Sequence, residues 1–179
     1  MRTVGSNPTL SASLSGSKQF FFEKKNQKTF TRKRFGMTID VSSLSNAIAQ
    51  LDEALTYAAS KLAASDPRLA RHLRAASIQA FEFTYELTIK TLKRYLTTTD
   101  PSPDTIDEFD FSALVRAGFE RGLLSEEIAA WRNFRRDRGT TSHAYDNNKA
   151  QAVFDHIPRF LREACFLRDQ INARQATPA

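Results

Sequence analysis

The sequence predicts an all-α domain, an up-and-down bundle of about five helices behind a disordered N-terminal tail, and three observations predict it. Apolar residues recur at steps of three and four over long stretches, helix start and stop residues bracket those stretches, and no run of alternating β-branched residues suggests a strand. With 179 residues, 41% of them hydrophobic, the chain has material for one folded domain and little for a second.

Residues 1–36 abound in Ser, Asn, Gly and Lys and hold no apolar period long enough for a helix, so they read as disordered. Phe20-Phe21-Phe22 is too short for the core of a signal peptide. Val4-Gly5-Ser6-Asn7-Pro8 back-translates to include GGTTCGAATCC, which resembles the conserved T-arm of a transfer-RNA gene. The extension is therefore expected to be spurious coding sequence, with Met37 the natural start and residues 37–179 the helical domain.

From Ser43 the period turns helical, with Leu44, Ile48, Leu51, Leu55, Ala58 and Leu62 forming one amphipathic helix. Asp66-Pro67 supplies an N-cap and a proline at the first position of the longest helix, which reaches about Thr97 without glycine or further proline. Two adjacent apolar rows run along it, Leu69/Leu73/Ala76/Ala80/Phe83/Leu87 and Ile78/Phe81/Tyr85/Ile89/Leu92/Leu96, and imply a central position. Asp100-Pro101-Ser102-Pro103-Asp104 begins a polar, acidic connection. A third helix carries Phe111, Leu114, Val115 and Phe119 and ends near Gly122. Ser125 is placed to cap the fourth, with a stripe of Ile128, Trp131 and Arg135 and a stop at Gly139. The fifth starts near Asn147 or Asn148 and shows Val153, Ile157, Phe160, Ala164, Leu167 and Ile171, with Pro158 expected to kink it.

The net charge of +6 points to a nucleic-acid binder until its distribution is read. Residues 1–36 hold eight basic side chains against Glu23 alone, which leaves 18 basic against 19 acidic residues in the rest. Basicity is thus no argument for RNA or DNA binding by the folded part. Cys165 is the only cysteine, so no intramolecular disulfide and no zinc site with paired thiolates can form. No metal or other cofactor is expected, no stretch is long enough to cross a bilayer, and a cytoplasmic location is expected.

The residues that can carry chemistry converge on Arg138-Gly139-Thr140-Thr141-Ser142-His143-Ala144-Tyr145. Arginine offers a permanent cation with a planar fork suited to phosphate, and histidine exchanges a proton near neutral pH. Together they suit phosphoryl chemistry, with the Tyr145 hydroxyl two residues from His143. Spacing alone leaves the plainer alternative level with it: Arg132, Arg135, Arg136 and Arg138 are also what a helix C-terminus attracts. Glu82, Glu86 and Lys90 read most simply as a solvated ion-pair row, with Glu86 a lesser candidate for orienting the site. Trp131 reads as a core anchor, and His72 and His156 stand apart from any metal-binding cluster.

The text of two blocks adds a resemblance. Arg74 to Lys93, containing Phe81-Glu82-Phe83-Thr84-Tyr85-Glu86-Leu87, together with Trp131 and Thr141-Ser142-His143-Ala144-Tyr145-Asp146, closely resembles the nucleotidyltransferase substrate-binding family of the HEPN superfamily, which includes the HepT-like toxins. The resemblance covers roughly Ser43 to Ile171. It implies a HEPN-like bundle, a homodimer, and a partner that is a minimal nucleotidyltransferase encoded by a neighbouring gene. In the toxin members an arginine, four residues, a histidine, one residue and a tyrosine make a metal-independent ribonuclease site, silenced when the partner adds AMP to the tyrosine. Arg138, His143 and Tyr145 match those positions, which implies catalytic roles for the first two, modification for the third and RNA as substrate. Gly139 departs from the family, which commonly has a polar residue there, and Arg136-Asp137 offers a second register. A non-catalytic subunit presenting substrate to a separate nucleotidyltransferase is the alternative implied by the same resemblance.

Overall fold

The computed structural model describes residues 38–140 and 147–176, so the extension and start site expected at residues 1–37 lie outside the described residues. No strand occurs among the described residues, and the helices are α1 (Ser42–Ala58), α2 (Lys61–Ser65), α3 (Pro67–Thr99), α4 (Pro103–Asp107), α5 (Phe111–Glu120), α6 (Ile128–Thr140) and α7 (Asn147–Ala176). The five longer ones are those the periodicity predicts. Two short helices go beyond it. The expected first helix breaks at Ala59-Ser60, where the Ser60 side chain accepts from Ala63 N at 3.2 Å and caps α2, and Leu62 leaves the apolar face to stand 68% exposed. The acidic connection after Asp100 folds into α4, with Pro103 in its first turn and Ile106 buried beneath it.

α3 is the central element and touches each of the other six helices. Its Asp66 cap accepts from Arg68 N and Leu69 N, as Asp-Pro predicts. Its buried face differs from expectation. Only one of the two apolar rows is well covered; Ala76 and Phe83 of the other remain exposed, Phe83 to 56%. The rest of the buried face is hydroxylic, with Ser77, Thr84, Thr88 and Thr91 beside Ile78, Phe81, Tyr85, Leu92 and Leu96. Ser77, Thr84 and Thr88 each donate to the carbonyl four residues back, so burial leaves their hydroxyls satisfied. Their small size lets α1 come close enough for Thr84 Oγ1 to reach the Ala47 carbonyl at 3.2 Å.

The helices alternate in direction. Ala47 lies by Thr84 and Arg94 donates to the Asp40 carbonyl, so α1 runs against α3. Arg74 bonds Gln151 and Phe81 stacks edge-on against Phe160 at 5.0 Å, so α7 runs with α3. α6 runs against α7, with Trp131 near Glu163 and Asp137 near His156. Every member of the predicted α7 stripe is buried, and the helix continues through Pro158, whose nitrogen has no proton to donate to the Phe154 carbonyl. α5 packs tightly because Gly118 has no side chain: a Cβ there would stand 3.0 Å from both Leu92 and Leu124. Gly122 then turns the chain with φ of +63°, a conformation open to glycine.

Candidate functional site

α6 presents the site. Its buried side carries Ala130, Trp131, Phe134 and Asp137 rather than the expected Ile128/Trp131/Arg135 stripe. Arg135 lies outward instead, its guanidinium 4.7 Å from the centre of the Phe111 ring. Trp131 is fully buried, as expected of an anchor, and packs edge-on with Phe134 and Phe160 in a cluster completed by Phe81 and Tyr85. This cluster is the floor on which the polar residues stand.

The start of α6 is held from a distance. The backbone and hydroxyl of Ser125, expected to cap the helix, are themselves held by Glu163 of α7. That carboxylate, 1% exposed, accepts from Ser125 N at 3.0 Å, Glu126 N at 3.1 Å and Trp131 Nε1 at 3.3 Å, and also from the Ser125 hydroxyl. A buried carboxylate with this many donors is stable there, and its charge sits at the positive end of the α6 dipole. Arg159, one turn before Glu163, grips the Glu126 carboxylate with two 2.7 Å bonds. That fork holds the Glu126 carboxyl below its usual range.

At the other end α6 does not stop at Gly139; it includes Gly139 and Thr140. Arg138 leaves the bundle toward α3 and meets Glu86, Nε to Oε1 at 2.8 Å. Glu86, expected in a row with Glu82 and Lys90, is thus tied across the site instead. Both side chains are about half exposed, 45% and 58%, so the pair is reachable from solvent. Tyr85 precedes Glu86 on α3, and burial pushes its pKa up to about 12, against a partial offset from the Arg135 and Arg138 charges. Its hydroxyl therefore stays neutral across the ordinary pH range.

The second register is oriented differently. Arg136 is exposed, but Asp137 is 7% exposed and turned into the bundle, where Oδ2 lies 2.8 Å from His156 Nδ1. Sequence reasoning sets His156 aside because no acidic cluster surrounds it; its carboxylate partner is 19 residues away in the chain. Asp137 is therefore a packing partner of α7, and of the two candidate arginines it is Arg138 that pairs with α3. His143, Tyr145 and the cap residue Asp146 lie outside the described residues. Among the described residues no group of three or more His, Cys, Asp and Glu is placed to hold a metal ion, and no helix is long and apolar enough to cross a membrane. Cys165 is partly buried, and that burial pushes its thiol up.

An all-helical domain with an arginine paired to a carboxylate of its central helix defines the class, and comparison with known proteins defines the family. Residues 39–173 match the model of the family described as nucleotidyltransferase substrate binding protein like, and the chain belongs to that family. It is 39% identical over 102 residues to a Haemophilus influenzae protein named "Probable ribonuclease HepT", a match covering 57% of this chain and 69% of the relative. The fold is similar to a Haemophilus influenzae structure described as the fold of a substrate binding domain of a nucleotidyltransferase, with a TM-score of 0.70, 31% identity, and coverage of 74% of this chain and 99% of that one. A crystal structure from Thermus thermophilus is also similar, with a TM-score of 0.57, 28% identity, and coverage of 72% and 98%.

Proposed function

We propose that the protein is a HepT-like, metal-independent endoribonuclease toxin that works as a homodimer and is neutralised when a minimal nucleotidyltransferase transfers AMP from ATP to the Tyr145 hydroxyl, releasing pyrophosphate. The observation that carries this reading is the Arg138–Glu86 pair, solvent-reachable at the end of α6 and five residues before His143. Cleaving RNA through its own 2′-hydroxyl needs a base for that proton, an acid for the leaving oxygen and a cation for the phosphorane. Arg138 serves as the clamp, with Glu86 fixing its fork, and His143 exchanges the proton. One imidazole does not readily do both proton transfers, so a second site in the same cleft completes the reaction.

The α3 surface beside Glu86 supports a second copy as neighbour. Phe83, Leu87 and Ile89 form, with Lys90, Lys93 and Asp107, a groove of about 620 Å³ that begins at Glu86. The patch is apolar at its centre, and its carboxylates are paired within the protomer, Asp107 with Lys93 and Glu86 with Arg138, so a two-fold axis across it would join apolar surface to apolar surface without opposing unpaired like charges from the acids. AMP on Tyr145 would place bulk and negative charge across such a cleft.

The test is purified full chain against RNA without and with His143→Ala. Cleavage by the wild type and its loss in the variant is expected; intact RNA with both removes the nuclease. Intact-mass measurement after incubation with an active partner and ATP tests Tyr145, and an unchanged mass removes the modification. Gly139 and the near balance of charge in residues 37–179 favour the second reading, a non-catalytic subunit presenting substrate to a nucleotidyltransferase. That reading predicts partner binding with no effect on RNA.

A further inference from the structure

The buried stripe of α6 is apolar only as far as Phe134. One turn further on the same stripe stands Asp137, and its contact is His156 on α7. Gly139 adds no side chain here, and a Cβ built on it would meet nothing within 4 Å. The C-terminal turn of α6 is thus docked on α7 through a polar contact at the position where apolar packing would otherwise continue. Arg138 follows Asp137 by one residue, about 100° further around the helix, given 3.6 residues per turn. Fixing Asp137 toward α7 therefore fixes the rotation that sends Arg138 toward Glu86 on α3.

The geometry points to His156 as a positioning residue of the site: its Nδ1 holds Asp137 and so sets the orientation in which Arg138 meets Glu86. His156 need not touch substrate to act in this way. Its side chain is 53% exposed while that of Asp137 is 10% exposed, so the carboxylate is the fixed half and the imidazole the tie that satisfies it. Without the tie, the carboxylate is left in a nearly closed position with its hydrogen bond unmade, and turning it out to water swings Arg138 with it. Displacing a clamp by about 1 Å is enough to cost up to about a hundredfold in rate.

The inference rests on the ribonuclease reading for its kinetic consequence but not for its structural one, and the test separates them. In the full chain, His156→Ala is expected to lower kcat for RNA cleavage about tenfold with KM changed less than about twofold. His156→Asn, whose amide donates to the same carboxylate, is expected to restore most of it. A kcat unchanged in His156→Ala, or an asparagine variant as impaired as the alanine one, overturns the proposal. If the wild type cleaves no RNA, amide hydrogen exchange decides instead. Faster exchange confined to residues 135–140 in His156→Ala, reversed in His156→Asn, upholds it; unchanged exchange there, or a rise spread evenly over α7 and α3, overturns it.

Discussion

Arg138 and Asp137 are neighbours in the chain and opposites in the fold, one paired at the surface with Glu86 and the other turned in to His156. The opposition yields a graded expectation. On the proposed ribonuclease reading, Arg138→Ala removes the phosphate clamp and is expected to lower RNA cleavage more than about a hundredfold, Arg138→Lys keeps the charge but loses the fork and falls between, and Glu86→Gln costs about tenfold. Rates for the three variants on one RNA check the order, and Glu86→Gln at wild-type rate would detach α3 from the site. Tyr85 gives a pH expectation. Its folded value of about 12 lies above the ordinary tyrosine value of 10, so its contribution to stability is complete below pH 10 and is lost as pH rises toward 12. Urea midpoints measured between about pH 9 and 12 should fall less steeply in Tyr85→Phe than in the wild type. Arg138 is legible in the sequence because its spacing to His143 and Tyr145 is local. Asp137–His156 is not, because nothing in a chain of letters says which face of α6 meets which turn of α7.

The elements are readable where one apolar period decides them and unreadable where polar atoms do. The α7 stripe is buried as predicted to the last residue, and α1 follows its period until Ser60 offers a cap that outcompetes one more turn. α3 departs from its pattern on one side, since threonines that satisfy themselves within the helix pack well against α1 and Phe83 is left outside. Two helical glycines, one in α5 and one in α6, separate cleanly by environment. Gly118→Ala puts a methyl 3.0 Å from Leu92 and Leu124 and is expected to cost about 1–3 kcal/mol. Gly139→Ala meets nothing within 4 Å and sits within a helix, so it is expected to stabilise by about 0.5–1 kcal/mol. Chemical denaturation of both variants checks the pair, and the opposite order would place Gly139 outside a helix.

For the whole molecule, the distribution of charge matters more than its total: with the excess confined to residues 1–36, an interface on the folded part has to be built from shape and local charge. The α3 groove has both. On the proposed dimer and nuclease, Phe83→Glu, at a side chain 56% exposed, is expected to leave thermal stability within about 0.5 kcal/mol while converting the dimer to monomers in sedimentation, and to abolish cleavage with it. A dimer that survives the change would move the interface elsewhere.

Glu163 adds a consequence in time. The turn that leads into α6, and the Trp131 indole within it, are held by a carboxylate 38 residues further along the chain than Ser125, and a lone helix of thirteen residues is marginal in water. During synthesis, then, α6 has no reason to persist until residue 163 has left the ribosome and α7 has folded against it. The arginine that faces Glu86 is among the last groups to find its place, so an incomplete chain carries the words of the site without its shape.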